Sequence, residues 1–159
     1  MTDHSRPEHQ QATASRRSLG LPLVAVVALA LLAAPRVVLH DLDIIEEGTP
    51  LNAVFVFLPP LVWIAVVLVK RVPNPFLTIL AVGACYGIVL ALGHQLLWDA
   101  NYGDDPPQLG GNLADLDPAV EAVIIRGFAV VSSVFTGVIV GAITGLIAWG
   151  LAAVTGRRR

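Results

Sequence analysis

Residues 76–98 read FLTILAVGACYGIVLALGHQLLW, and this stretch decides the fold. It holds no Asp, Glu, Lys or Arg, and as a helix at 1.5 Å per residue it covers roughly 34 Å. The hydrocarbon of a bilayer is roughly 30 Å thick and gives the backbone no water to bond, so an apolar run of this length crosses as a helix. A surface helix of a soluble domain would need a polar face, which this run lacks.

Upstream, Val72-Pro73-Asn74-Pro75 makes a tight turn in which Asn74 can cap the third span and Pro75 suits its first position. A second span occupies 51–69 and closes on Lys70-Arg71. The first span uses about 19–39, with Pro22 in its first turn and Arg36 near its end snorkelling outward. Arg16-Arg17 ahead of an apolar run and Ala33-Ala34 also has the shape of a cleaved signal, even of a twin-arginine one. The three spans that follow, and Pro35 just after the best cleavage site, favour an uncut anchor. Downstream, 99–118 carries Gly, Pro, Asn and Asp in the pattern of a solvated loop. Asp117-Pro118 then opens a helix that runs to about Val154 and spans the bilayer over 127–153.

Composition agrees with this reading. Of 159 residues, 55% are hydrophobic and 14% charged, and the mean hydropathy is +0.73. A soluble domain keeps roughly a quarter of its residues charged. Cys85 is the only cysteine, so no internal disulfide can form. The expected architecture is all-α: a polytopic membrane protein with four transmembrane helices and cytoplasmic N- and C-termini. Residues 1–18 form a disordered tail, 19–154 the membrane domain, 40–50 and 99–118 acidic outer loops, and 155–159 a basic tail. Val38, Leu42 and Ile45 recur at helical spacing in the first outer loop, which suits a short helix on the membrane surface.

Orientation follows from charge. Of the ten Lys and Arg residues, eight lie in the N-terminal tail, the 70–75 turn and the terminal Arg157-Arg158-Arg159. Short basic segments stay cytoplasmic, and only an even count of spans keeps all three on one side. Trp98 and Trp149 then lie at opposite edges of the bilayer, as interfacial aromatics do. The abundance of Ala, Val, Leu, Gly and Arg with one lysine suits a bacterial inner membrane.

Two strips of small residues stand out: Gly83, Gly87 and Ala91 on the third span, and Ser133, Gly137, Gly141 and Gly145 on the fourth. Residues four apart share a helix face, and small ones let a second backbone come close. The strips predict either packing of the third span on the fourth or a homo-oligomer interface. Pro59 and Pro60 mark a helix break in the second span, because neither can donate to the carbonyls of Phe55 and Val56.

Ionisable and polar residues inside spans are costly and often functional. An antiparallel hairpin brings His94, Gln95 and Arg126 to similar depth, with Glu121 beyond them and Asn52 at the start of the second span. These five form the expected polar cluster at the outer mouth. It reads either as a vestibule for a small polar ligand, proton or ion, or as helix ends reaching water and headgroups. If His94 and Arg126 share one site, Arg126→Leu perturbs the titration of His94.

His40 and His94 could in principle ligate haem, and Asp99-x-Asn101-x-Gly103-Asp104-Asp105 resembles part of a calcium loop without its glutamate. Neither carries enough to assign a cofactor or metal. Zinc spacings, a nucleophile elbow and a phosphate-cradling loop are absent, and the basic residues flank spans instead of forming a nucleic-acid patch. The sequence therefore points to a non-enzymatic accessory or interaction subunit, partnered by the bilayer and by a homo-oligomer or larger membrane complex. The alternative is a small oligomeric transporter or channel.

Overall fold

Three helices begin with the same two-residue device, a polar cap followed by proline. Thr49 Oγ1 accepts the Asn52 N–H at 3.2 Å, Asn74 Oδ1 accepts that of Leu77 at 3.0 Å, and Asp117 Oδ1 accepts that of Ala119 at 2.9 Å. Pro50, Pro75 and Pro118 follow, each at a position whose N–H would have no helical partner. The chain, described for residues 19–156 in a computed structural model, is all-helical, with no strand among the described residues. The expected tail at 1–18 and the terminal arginines at 157–159 lie outside the described residues.

The elements are α1 (Leu23–Leu31), α2 (Ala34–Asp41), α3 (Pro50–Val69), α4 (Pro75–Leu96), α5 (Trp98–Tyr102), a 3₁₀ turn at Gly111–Leu113, and α6 (Pro118–Val154). With α1 and α2 counted as one span over Leu23–Asp41, four helices are long and apolar enough to cross a membrane. The protein is a four-helix polytopic membrane protein. Its outer surface agrees: Leu23, Val24, Phe57, Leu61, Phe128 and Phe135 are among many large apolar side chains left exposed to be covered by lipid.

The first span departs from the expected uninterrupted helix over 19–39. Pro22 precedes the helix in an extended conformation, and the helix bends at Leu32–Ala33, just ahead of Pro35. There the Ala33 N–H turns to the Ala30 carbonyl at 3.1 Å, three residues back. The Leu29 carbonyl, which Ala33 would have served, accepts the Leu32 N–H at 3.3 Å and the indole Nε1–H of Trp63 at 2.8 Å. Trp63 has no exposed surface. Trp63→Phe should keep the ring packing and remove the shorter of that carbonyl's two bonds, costing about 1 kcal/mol in an SDS unfolding titration.

The separate surface helix expected near 38–45 does not form. α2 runs on to Asp41, and the chain then turns, with Ile44 and Ile45 donating back to the Leu39 carbonyl and Ile45 tucked inside. The expected break at Pro59 and Pro60 is also milder than predicted, because α3 continues through both prolines as one helix. The third span stops at Leu96 rather than Trp98, which begins α5, and the loop over 99–118 contains helical turns.

α4 is the central helix. Nine of its residues are buried, and it packs on α1, α2, α3 and, along nearly its whole length, on α6. The small-residue strips face each other across the α4–α6 seam. A Cβ added to Gly83 would lie 2.5 Å from the Gly137 carbonyl oxygen and 2.5 Å from Gly141 Cα. One on Gly87 would come within 2.8 Å of Val134 Cα, and one on Gly145 within 3.0 Å of the Phe76 carbonyl. Ala91 and Ser133 are buried at the same seam. The remaining core is Val26, Ala30, Val37, Trp63, Val67, Ile79, Val82 and Ala148.

This packing sorts the bundle into two ends. Thr78 Oγ1 donates to the Leu19 carbonyl at 2.6 Å and Phe76 meets Gly145, so the start of α1, the 70–75 turn and the end of α6 share one end. The other end gathers the close of α2, the start of α3, the close of α4 and the first third of α6.

Candidate functional site at the polar end of the bundle

Along the first span, Val26, Ala30, Ala33, Val37 and Asp41 are all buried and recur at helical spacing. Asp41 therefore sits on the apolar stripe of its helix, one turn beyond Val37. Val37 packs closely on Gly93 of α4, where an added Cβ would meet Val37 Cγ1 at 2.9 Å. That close approach delivers Asp41 to His94. His94 Nδ1 lies 2.7 Å from Asp41 Oδ2, and the Asp41 side chain is 1% exposed while that of His94 is 33% exposed.

The other carboxylate oxygen, Oδ1, is buried without a hydrogen-bond partner among the described residues. His40 Nδ1 stands 3.5 Å from it, an electrostatic contact that lacks hydrogen-bond geometry. The second nitrogen of His40 reaches the exposed Glu47 at 3.4 Å. A carboxylate this buried is costly without polar partners, and the two imidazoles are the groups nearest to it. With Nδ1 committed to Asp41, Nε2 is the nitrogen His94 has left for a ligand.

His94 borders a vestibule of about 200 Å³ between α4, α5 and α6. Asn101, Tyr102, Ser132, Ser133 and Thr136 bring amide and hydroxyl groups to its wall, and Trp98 and Leu90 supply apolar surface. The Ser132 and Ser133 hydroxyls both donate to the Ala129 carbonyl, at 3.1 Å and 2.7 Å. Thr136 also lines a second cavity deeper in the bundle.

The five residues nominated from sequence all lie toward this end but in separate groups. Asn52 is 8% exposed and accepts a bond from Arg36 Nε at 3.1 Å. Gln95 donates to the Arg126 backbone carbonyl at 3.4 Å, so that pair meets through the main chain. The Arg126 guanidinium sits 4.8 Å over the Trp98 ring and 3.5 Å from the exposed Asp99. Glu121 accepts the Leu109 N–H and pins the end of the 103–110 loop to α6. His94 is held by Asp41, while Arg126 has its own partners.

Asp41 and Arg36 also belong to this end. Asp41 falls in the expected acidic outer loop at 40–50, yet its place on the 26-30-33-37 stripe buries it. Arg36 was expected to reach outward to water, yet it turns inward to Asn52 and lines the deeper cavity with Tyr86 and Trp63. No cluster of three or more His, Cys, Asp or Glu side chains suited to a metal occurs among the described residues.

The chain matches no family model, no curated protein and no solved structure at a significant level.

Proposed function

We propose that this chain is a non-enzymatic multi-pass protein of a bacterial inner membrane, an accessory or interaction subunit whose vestibule takes a small hydrogen-bonding solute. The observation that carries this reading is the Asp41–His94 pair. A carboxylate buried to 1% exposure at a helix end is costly, and it fixes the one imidazole that borders the polar cavity. This is the arrangement of an oriented binding histidine. The wall hydroxyls argue against catalysis, because Ser132 and Ser133 give their protons to a backbone carbonyl and so are not poised to pass them to His94.

The basic turn at Lys70-Arg71 and the arginines of both tails support cytoplasmic termini and a vestibule opening on the opposite face. Thr136, shared by the vestibule and the deeper cavity, favours the second reading, a small oligomeric transporter with a stepped polar path. Self-association would have to use the lipid-facing sides of the helices, since the small-residue strips are spent on the α4–α6 seam.

The test uses histidine-labelled protein in lipid nanodiscs with a water-soluble gadolinium chelate. The His94 ring resonances should broaden in the wild type and be protected in Ser132→Trp, which fills the vestibule. An unbroadened His94 in the wild type would remove the vestibule from solvent and reject the proposal. Orientation is checked separately. In Cys85→Ala protein, a cysteine placed at Asn101 should react with an impermeant maleimide added to whole spheroplasts, and one placed at Lys70 should not.

A further inference from the structure

The deeper cavity has a volume of about 220 Å³ and lies between α2, α3, α4 and α6. Its polar groups are Arg36, Tyr86 and Thr136, set among the rings of Phe55, Trp63 and Pro60. Arg36 enters no ion pair among the described residues. A guanidinium has five N–H donors; Asn52 takes the one on Nε, and the Tyr86 hydroxyl is a second side-chain partner. Both partners are neutral, and a cation with donors to spare inside a membrane span calls for an anion.

The cavity adjoins a second space. Val56, Pro60 and Val140 line both it and an almost wholly apolar groove of about 300 Å³ between α3 and α6. Phe57, Leu61, Ile64, Ile143, Thr144 and Ile147 form the remaining groove wall, and Phe57, Leu61 and Ile143 are exposed on the lipid-facing surface. One end of the joined space is cationic and hydrogen-bonding, and the other is greasy and open to the side. That is the shape of an amphiphile with an anionic head and an acyl tail.

We propose that the joined space is a specific site for one anionic phospholipid drawn from the surrounding bilayer. Its phosphodiester faces Arg36, with the Tyr86 and Thr136 hydroxyls beside it, and one acyl chain lies in the α3–α6 groove. Arginine suits this task because its planar fork can hold two oxygens of one phosphate. The prolines contribute shape, since Pro60 shares in both walls and neither Pro59 nor Pro60 has an N–H to fill the space beside Phe55 and Val56.

Native mass spectrometry of the full chain, equilibrated in vesicles holding equal parts phosphatidylglycerol and phosphatidylcholine, tests this directly. The wild type should retain one phosphatidylglycerol at least tenfold over phosphatidylcholine. Arg36→Gln should bring that preference close to unity, and Arg36→Lys should keep part of it. Ile143→Trp, a change on an exposed position, should fill the groove and lower retention with the arginine in place. Lys70→Gln, at the opposite end of the bundle, should change nothing. Equal retention in the wild type and Arg36→Gln, or capture of a free fatty acid in place of phospholipid, would overturn the site. Neither result bears on the His94 vestibule, whose readout is independent.

Discussion

Gly137→Leu should abolish the folded bundle, with a loss of at least about 3 kcal/mol in SDS titration followed by tryptophan fluorescence. The added side chain meets backbone on every side, with the Gly83 carbonyl oxygen only 2.5 Å from its first carbon. Backbone on a packed helix cannot swing away as a flexible side chain can, so α4 and α6 must part. Parting them costs the dispersion contacts of the whole seam and exposes Ser133 and Thr144, both now buried. Gly150→Leu on the same helix is the control. Nothing lies within 4 Å of a Cβ there, so leucine should be neutral or gain up to about 1 kcal/mol of helix propensity. Gly141→Leu should follow Gly137→Leu in destroying the monomer, since its Cβ would come within 2.9 Å of Gly83 Cα.

His94→Leu should be the second severe change, costing about 3 kcal/mol. It removes the partner of a carboxylate that is 1% exposed and leaves Asp41 with only the poorly aligned His40 beside it. The figure sits at the low end of the range for broken buried pairs because His94 itself is 33% exposed and water can reach the gap. Asp41→Asn should cost less, since the amide keeps the shape and a hydrogen-bonding group while discarding the charge.

Much of the architecture was readable because a bilayer imposes a length and a polarity that soluble folds do not. Four apolar runs, Asn-Pro and Asp-Pro starts, and two facing strips of small residues are local signals, and each is present in the structure. The polar end was less readable. His94, Gln95, Asn52, Glu121 and Arg126 lie toward one end, because antiparallel topology fixes depth. Topology does not fix the rotation of each helix, which packing decides, so it could not pair His94 with Asp41 rather than Arg126. The bend at Leu32–Ala33 was invisible for a related reason. There Trp63, more than thirty residues away, adds an indole bond to the Leu29 carbonyl, a partner that local sequence does not reveal. Arg36 was misread by the habit that arginines near helix ends reach outward; Asn52 and a cavity gave it somewhere to turn.

Asp41 and His94 meet as one pair within the membrane-spanning bundle. A double-mutant cycle in lipid bicelles, combining Asp41→Leu with His94→Leu, measures that interaction directly. The pair predicts a coupling of at least about 1.5 kcal/mol, with the double variant more stable than the sum of the singles implies. Losses that add to within about 0.5 kcal/mol would mean the two side chains do not depend on each other, and the proposed site would lose its foundation.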